Sequence, residues 1–404
     1  MKNLLLLSGL LLCISCANQP RTYESIDLQF ASFDWDVNPY KFSQVIRDSV
    51  LPDRGDQYAS WAYSYIGDIQ TMHETWDSDR NPQTPLTEEE KEDFGSYQPV
   101  DGMTYILEKA KDYQVVIINE GHHMPQHRVF SAQLLEELQK QGFKHLGLES
   151  YYASPQNDST LKALGYPTLK SGYYTKEPQF GNLLRQAHRM GIQIFGYESE
   201  GHADGKEREI NQAKNIQTYL EQHPGEKVLI HCGFGHVKEG ELMSPWEKAM
   251  AGRLEEFTGL DPLTINQVGY SEHSAKKHEN PYYQLTDVET PMVYLNEAGE
   301  VFGQTRNGGY TDISIFHPRS QTYNRPVWMT YGDRKEVDFS FEEAEVNCPC
   351  LVFAYPEGEE VGLAVPYDIQ ETATKQVKLV LDKSDYQLVI LDQAGKALLT
   401  KWEN

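Results

Sequence analysis

Positive charge is in short supply in this chain: 36 lysines and arginines stand against 60 aspartates and glutamates, a formal net charge of −24. Such a balance repels phosphate backbones and anionic lipid headgroups, which argues against nucleic acid as a partner. The acids are spread along the chain. Only Glu88-Glu89-Glu90 is a compact run, which reads as solvated surface. Long apolar runs are missing beyond the first residues and mean hydropathy is −0.60, so no internal stretch reads as a membrane span. Cysteine is also scarce. Beyond Cys13 and Cys16 the thiols are Cys232, Cys348 and Cys350, too few for a disulfide framework. Cys348-Pro349-Cys350 reads as structural thiols in preference to a metal clip or a local disulfide. Repeats and low-complexity tracts are absent.

What is present begins at the N-terminus. Lys2 precedes an apolar run from Leu4 to Ile14, then Ser15 and Cys16, then polar residues. This is a signal peptide over residues 1–15, too short to span a bilayer. A small residue directly before cysteine resembles the lipobox of bacterial lipoproteins, although Cys13 stands where a leucine is usual. The expectation is lipidation at Cys16 and a place in the cell envelope, with the lipid as the sole membrane anchor.

Residues 16–99 read as a linker and helical lead-in. From Gln114 the pattern alternates. Apolar, β-branched runs at Gln114–Glu120, Lys144–Ser150, Ile192–Ser199, Lys227–Phe234 and Pro262–Gly269 predict strands. Between them, Gln126–Lys140, Gln179–Met190, Gly205–His223 and Ser244–Phe257 carry helical periodicity. Parallel neighbours need crossover connections, so the expectation is an α/β fold with a mostly parallel central sheet flanked by helices over residues 100–330. Pro291–Leu295 and Thr311–His317 complete that sheet. Residues 331–404 are strand-like and predict a small β-rich C-terminal appendage.

Ligands of open α/β sheets bind beyond the carboxyl ends of the strands. Here four successive predicted strands end in Asn119-Glu120-Gly121-His122-His123, Leu148-Glu149, Tyr197-Glu198 and His231-Cys232-Gly233-Phe234-Gly235-His236. Singly, Glu149 or Glu198 reads as a cap and His231 as a core histidine. Together, carboxylate and imidazole recurring at one edge predict a cleft.

These blocks resemble the erythromycin esterase, Tiki and ChaN superfamily, which includes haem-binding uptake lipoproteins and metal-dependent peptidases. Glu120 with His122 or His123 looks like its G-E-x-H or G-E-x-x-H, with Asn119 in place of the glycine. Gly142-Phe143 through Glu149, Arg208-Glu209 through Asn215, and Gly233-Phe234-Gly235-His236 match three further blocks in order. Gly233 stands where erythromycin esterases tend to carry a histidine, which puts macrolide hydrolysis in doubt. The resemblance implies a hydrolase of ester, amide or peptide bonds acting on a small molecule or peptide. A divalent metal (Zn, Mn or Co) held by Glu120, His122 and His236 would supply hydroxide. Catalytic candidates are Glu120, His123, Glu149, Glu198, Arg208 and Glu209, with Glu120 or His123 as base and Arg208 facing negative charge. A metal-free variant has a histidine held by Glu120 activating water. Haem or another small ligand bound through Tyr173, Tyr174 or a histidine, and a purely structural domain, are the other classes.

Overall fold

A computed structural model of the chain describes residues 21–31, 38–152, 155–199, 205–303 and 308–403; Cys16 and the signal segment lie outside them. The strands are β1 (Glu24–Ile26), β2 (Gln98–Asp101), β3 (Val115–Glu120), β4 (Phe143–Leu148), β5 (Gln193–Gly196), β6 (Lys227–Gly233), β7 (Leu263–Tyr270) and β8 (Met292–Leu295). They continue as β9 (Ile313–Phe316), β10 (Lys335–Ser340), β11 (Cys350–Pro356), β12 (Asp368–Thr372), β13 (Gln376–Leu381), β14 (Tyr386–Asp392) and β15 (Ala397–Trp402).

An eight-stranded sheet in the order β2-β8-β9-β7-β3-β6-β4-β5 carries the candidate site. Its central strand β3 is buried along its whole length, as its unbroken apolar run requires. Side chains alternate between its faces. Val116 and Ile118 pack with Leu134 and Leu183 of helices Pro125–Lys140 and Pro178–Arg189. Val115 and Ile117 pack on the other face with Ile216 and Leu254 of helices Gly205–Gln222 and Met250–Thr258. Pro125 opens the helix after β3, where its missing N–H costs nothing.

The expected α/β fold with a mostly parallel central sheet and a small β appendage is corrected by the pairing. The eight-stranded sheet is mixed: β2 pairs β8, and β8 pairs β9, antiparallel. Over the described residues antiparallel pairings outnumber parallel ones. Among the described residues no α-helix separates β8 from β9, and antiparallel neighbours need no crossover. Nor are the C-terminal strands an appendage. A five-stranded antiparallel sheet, β1-β15-β14-β11-β12, takes its edge strand from the other end of the chain. Its Leu351, Phe353 and Ile369 share a core with Trp61 and Met72 of helices Asp56–Tyr65 and Ile69–Trp76. Among the described residues no helix is long and apolar enough to cross a membrane.

Candidate functional site

β3 delivers Glu120 to the edge of the sheet, and the turn at Gly121 sends the chain into helix Pro125–Lys140. Arg128, in the first turn of that helix, folds back onto the strand end. Its Nε and Nη2 donate to the two Glu120 oxygens at 2.7 and 3.0 Å, its Nη1 to Glu177 at 3.0 Å and its Nη2 also to the His122 carbonyl at 2.7 Å. All of these groups are buried, a setting in which a charge persists only if paired and hydrogen-bonded. The remaining demand on Glu120 comes from His122, whose Nδ1 lies 2.9 Å from Oε1. Burial pushes the Glu120 carboxyl up, but Arg128, His122 and His231 outweigh it and hold it well below the usual range. Glu120 therefore stays ionised, and a neutral His122 facing it carries its proton on Nδ1 and its lone pair on Nε2.

That Nε2 points over Gly233 at the end of β6. A Cβ there would lie 2.5 Å from it, so only glycine gives the ring its place. Glu149, one residue past β4, accepts from the Gly233 amide at 2.6 Å through Oε2 and from Arg208 at 2.5 Å through Oε1. Burial again opposes its charge, and His236, His122, Arg208 and the Gly233 amide override it, with a pKa lowered to about 2. Arg208, in helix Gly205–Gln222, also forks onto Glu198, which Gln212 reinforces.

His236 is held in the same manner as His122. Its Nδ1 is 2.8 Å from the buried Glu209 carboxylate, which accepts the Met250 amide as well. Its Nε2 faces Arg208 Nη1 at 2.9 Å and Glu149 Oε1 at 3.7 Å. Burial favours the neutral ring, yet Glu149 and Glu209 together raise its pKa above the ordinary imidazole value. Neutral, Nε2 accepts from Arg208; protonated, it has Glu149 as the nearest acceptor.

Aromatic rings wall the two histidines. Tyr174 stacks on His122 with centroids 3.9 Å apart, Trp61 stands edge-on at 6.2 Å and Phe234 edge-on at 5.0 Å. Trp246 stacks on His236 at 5.2 Å. Phe234 has φ of +37°, a conformation costly for a non-glycine residue. It is held there by the Asn119 side chain, which donates to its carbonyl at 2.7 Å, and by its own amide, which donates to the Glu120 carbonyl at 2.7 Å. The asparagine that departs from the motif thus braces the opposite loop.

The structure brings Glu120, His122, Glu149, Glu198, Arg208, Glu209 and His236 into one connected group. It does not bring His123. That ring turns away, stacks on Trp76 at 3.7 Å and is kept neutral by burial and by the neighbouring His73 and His127. His231 is a core histidine against Phe180, with burial holding its pKa at about 4. Sequence reasoning left Arg128, Glu177, Trp61, Phe234 and Trp246 out of the site. Arg128 was the accessible one, since a buried carboxylate at a strand end needs a cation within reach.

Glu120, His122 and His236 do not fit the expected metal. Both Glu120 oxygens are occupied by Arg128 and His122, and His236 Nε2 meets a guanidinium. A cation there would displace these donors and lie beside like charge. Among the described residues, no three His, Cys, Asp or Glu side chains form a group suited to a metal ion.

No family model matches the chain, and no curated protein does. Among solved structures, the type III effector HopBA1 is 16% identical with a TM-score of 0.33, over 55% of this chain and 96% of that one. A structure described as bacterial protein toxins is 16% identical with a TM-score of 0.31, over 51% of this chain and 45% of that one. RRSP, a MARTX toxin effector domain from Vibrio vulnificus CMCP6, is 19% identical with a TM-score of 0.29, over 50% of this chain and 43% of that one.

Proposed function

We propose that this chain is a lipid-anchored cell-envelope hydrolase that cleaves an ester, amide or peptide bond with two carboxylate-held histidines and no metal. The observation that carries the reading is the pairing of Glu120 with His122 and of Glu209 with His236 around Glu149 and Arg208. The four sequence blocks that resemble the erythromycin esterase, Tiki and ChaN superfamily supply most of these residues, which supports the same class. The signal segment ending at Cys16 supports the location.

In this reading His122 Nε2 takes a proton from water as the water oxygen attacks the substrate carbonyl carbon. Glu120 stabilises the imidazolium through Nδ1–H. Negative charge on the carbonyl oxygen develops beside Arg208, whose guanidinium is partly exposed. His236, protonated, gives its Nε2 proton to the leaving group, and Glu149 and Glu209 favour its recharging. Glu120 is then a positioning residue and not the base, because Arg128 keeps its affinity for protons too low.

The test is a screen of purified protein against 4-nitrophenyl esters, amides and peptides. Hydrolysis that is lost in a folded His236→Ala variant supports the reading. No hydrolysis of any substrate, or undiminished turnover in that variant, refutes it.

A further inference from the structure

Away from the histidines, the C-terminal sheet ends in two thiols in contact. Cys350 opens β11 and is fully buried, in register with Thr372 of β12 and Asp392 of β14. Cys348 is two residues earlier and only partly buried, and its Sγ lies 3.3 Å from that of Cys350. The connection from β10 that carries Cys348 is tied down. Phe341 donates its amide to the Lys375 carbonyl at 2.9 Å, and Asn347 donates its amide to the Asp392 carboxylate at 3.4 Å. The backbone therefore delivers the two sulfurs to each other.

We propose that Cys348 and Cys350 are a redox-active dithiol that a low-molecular-weight disulfide oxidises to an internal disulfide, in place of the inert thiols expected from the sequence. Cys348, the accessible member, attacks as thiolate. One S–S bond of the oxidant breaks, a mixed disulfide forms on Cys348, and the first small thiol leaves carrying the proton that Cys348 gave up. Cys350 then loses its proton, attacks the Cys348 sulfur and expels the second small thiol, which takes that proton. Two protein thiols are oxidised and one small disulfide is reduced to two thiols. Burial and the adjacent Cys348 push the Cys350 thiol up, which suits it to the resolving role and not to the first attack. Closing so short a loop constrains the unfolded chain little, so the bond acts as a reversible switch and not as a staple. Cys232, the third described thiol, is buried with its Sγ 3.6 Å from the Ile118 carbonyl and takes no part.

The experiment uses the full chain. Reduced protein is held with glutathione disulfide, quenched in acid, alkylated in denaturant and digested with trypsin, which releases residues 336–375 as one peptide holding both cysteines. The expected peptide carries no alkyl group and is about two mass units lighter than its reduced form, and dithiothreitol restores two alkylation sites. Cys350→Ser is expected to trap glutathione on Cys348. Two alkylated cysteines after oxidation, or a wild-type peptide that keeps a stable glutathione adduct, would overturn the proposal.

Discussion

Glu120→Gln tests the hold of the buried carboxylate on the His122 ring. The substitution removes a charge that accepts two hydrogen bonds from Arg128 and one from His122. Arg128 has donors only, so it claims the new amide oxygen and leaves the amide nitrogen facing His122 Nδ1. His122 Nδ1 must then accept from that amide, the ring proton moves to Nε2, and the lone pair over Gly233 is lost. Arg128 keeps Glu177 and the His122 carbonyl, so the guanidinium is not stranded. The cost in stability is then that of charge-assisted hydrogen bonds, about 1.5–3 kcal/mol, below the 5–15 kcal/mol typical of a folded protein. Turnover falls far more, by about 10²–10⁴-fold, since a misplaced proton disables the base. Urea denaturation gives the first quantity and initial rates on a hydrolysed 4-nitrophenyl ester give the second. A folded Glu120→Gln protein with wild-type turnover would refute the reasoning.

Gly233→Ala is expected to force the His122 ring aside, costing about 1–3 kcal/mol in overpacking and most of the activity; wild-type rates in the alanine variant would show that the ring is not held there. Turnover is expected to fall on the alkaline side as His236 loses its proton. The pKa of this group is raised, so the stability it lends is fully present below about 6.5 and lost as pH rises through the higher folded value. Rate and denaturation measured across pH, with Glu209→Gln moving the alkaline limb to lower pH, check both; an unmoved limb would assign it elsewhere. Dialysis against a chelator is expected to leave turnover intact, and loss that added zinc restores would reinstate the metal.

The β3 end was the most legible part of the chain, because an apolar strand that stops in Glu and His has few structural uses. The edge residues Glu149, Glu198 and His236 were legible for the same reason. The role of Glu120 was not, because it depends on a helix folding Arg128 back over the strand, a contact that spacing along the chain does not announce. Nor could sequence choose between His122 and His123. The turn at Gly121 decides it, together with Trp76, which arrives from another helix to stack on His123. Strand direction was also hidden: the apolar runs of β8 and β9 show that they are buried but not which way they run. Pairing of β1 with β15 joins the two ends of the chain and leaves no local mark.

The most direct test is a kinetic cycle of His122→Ala, His236→Ala and the double variant on a hydrolysed ester, with folding of each checked by denaturation. Each single substitution is expected to lower kcat/KM by about 10²–10⁴-fold, and the double variant to lose little more, because a base and an acid that serve one step fail as a unit. A folded single variant that turns over at the wild-type rate would remove that histidine from the chemistry and contradict the two-histidine site.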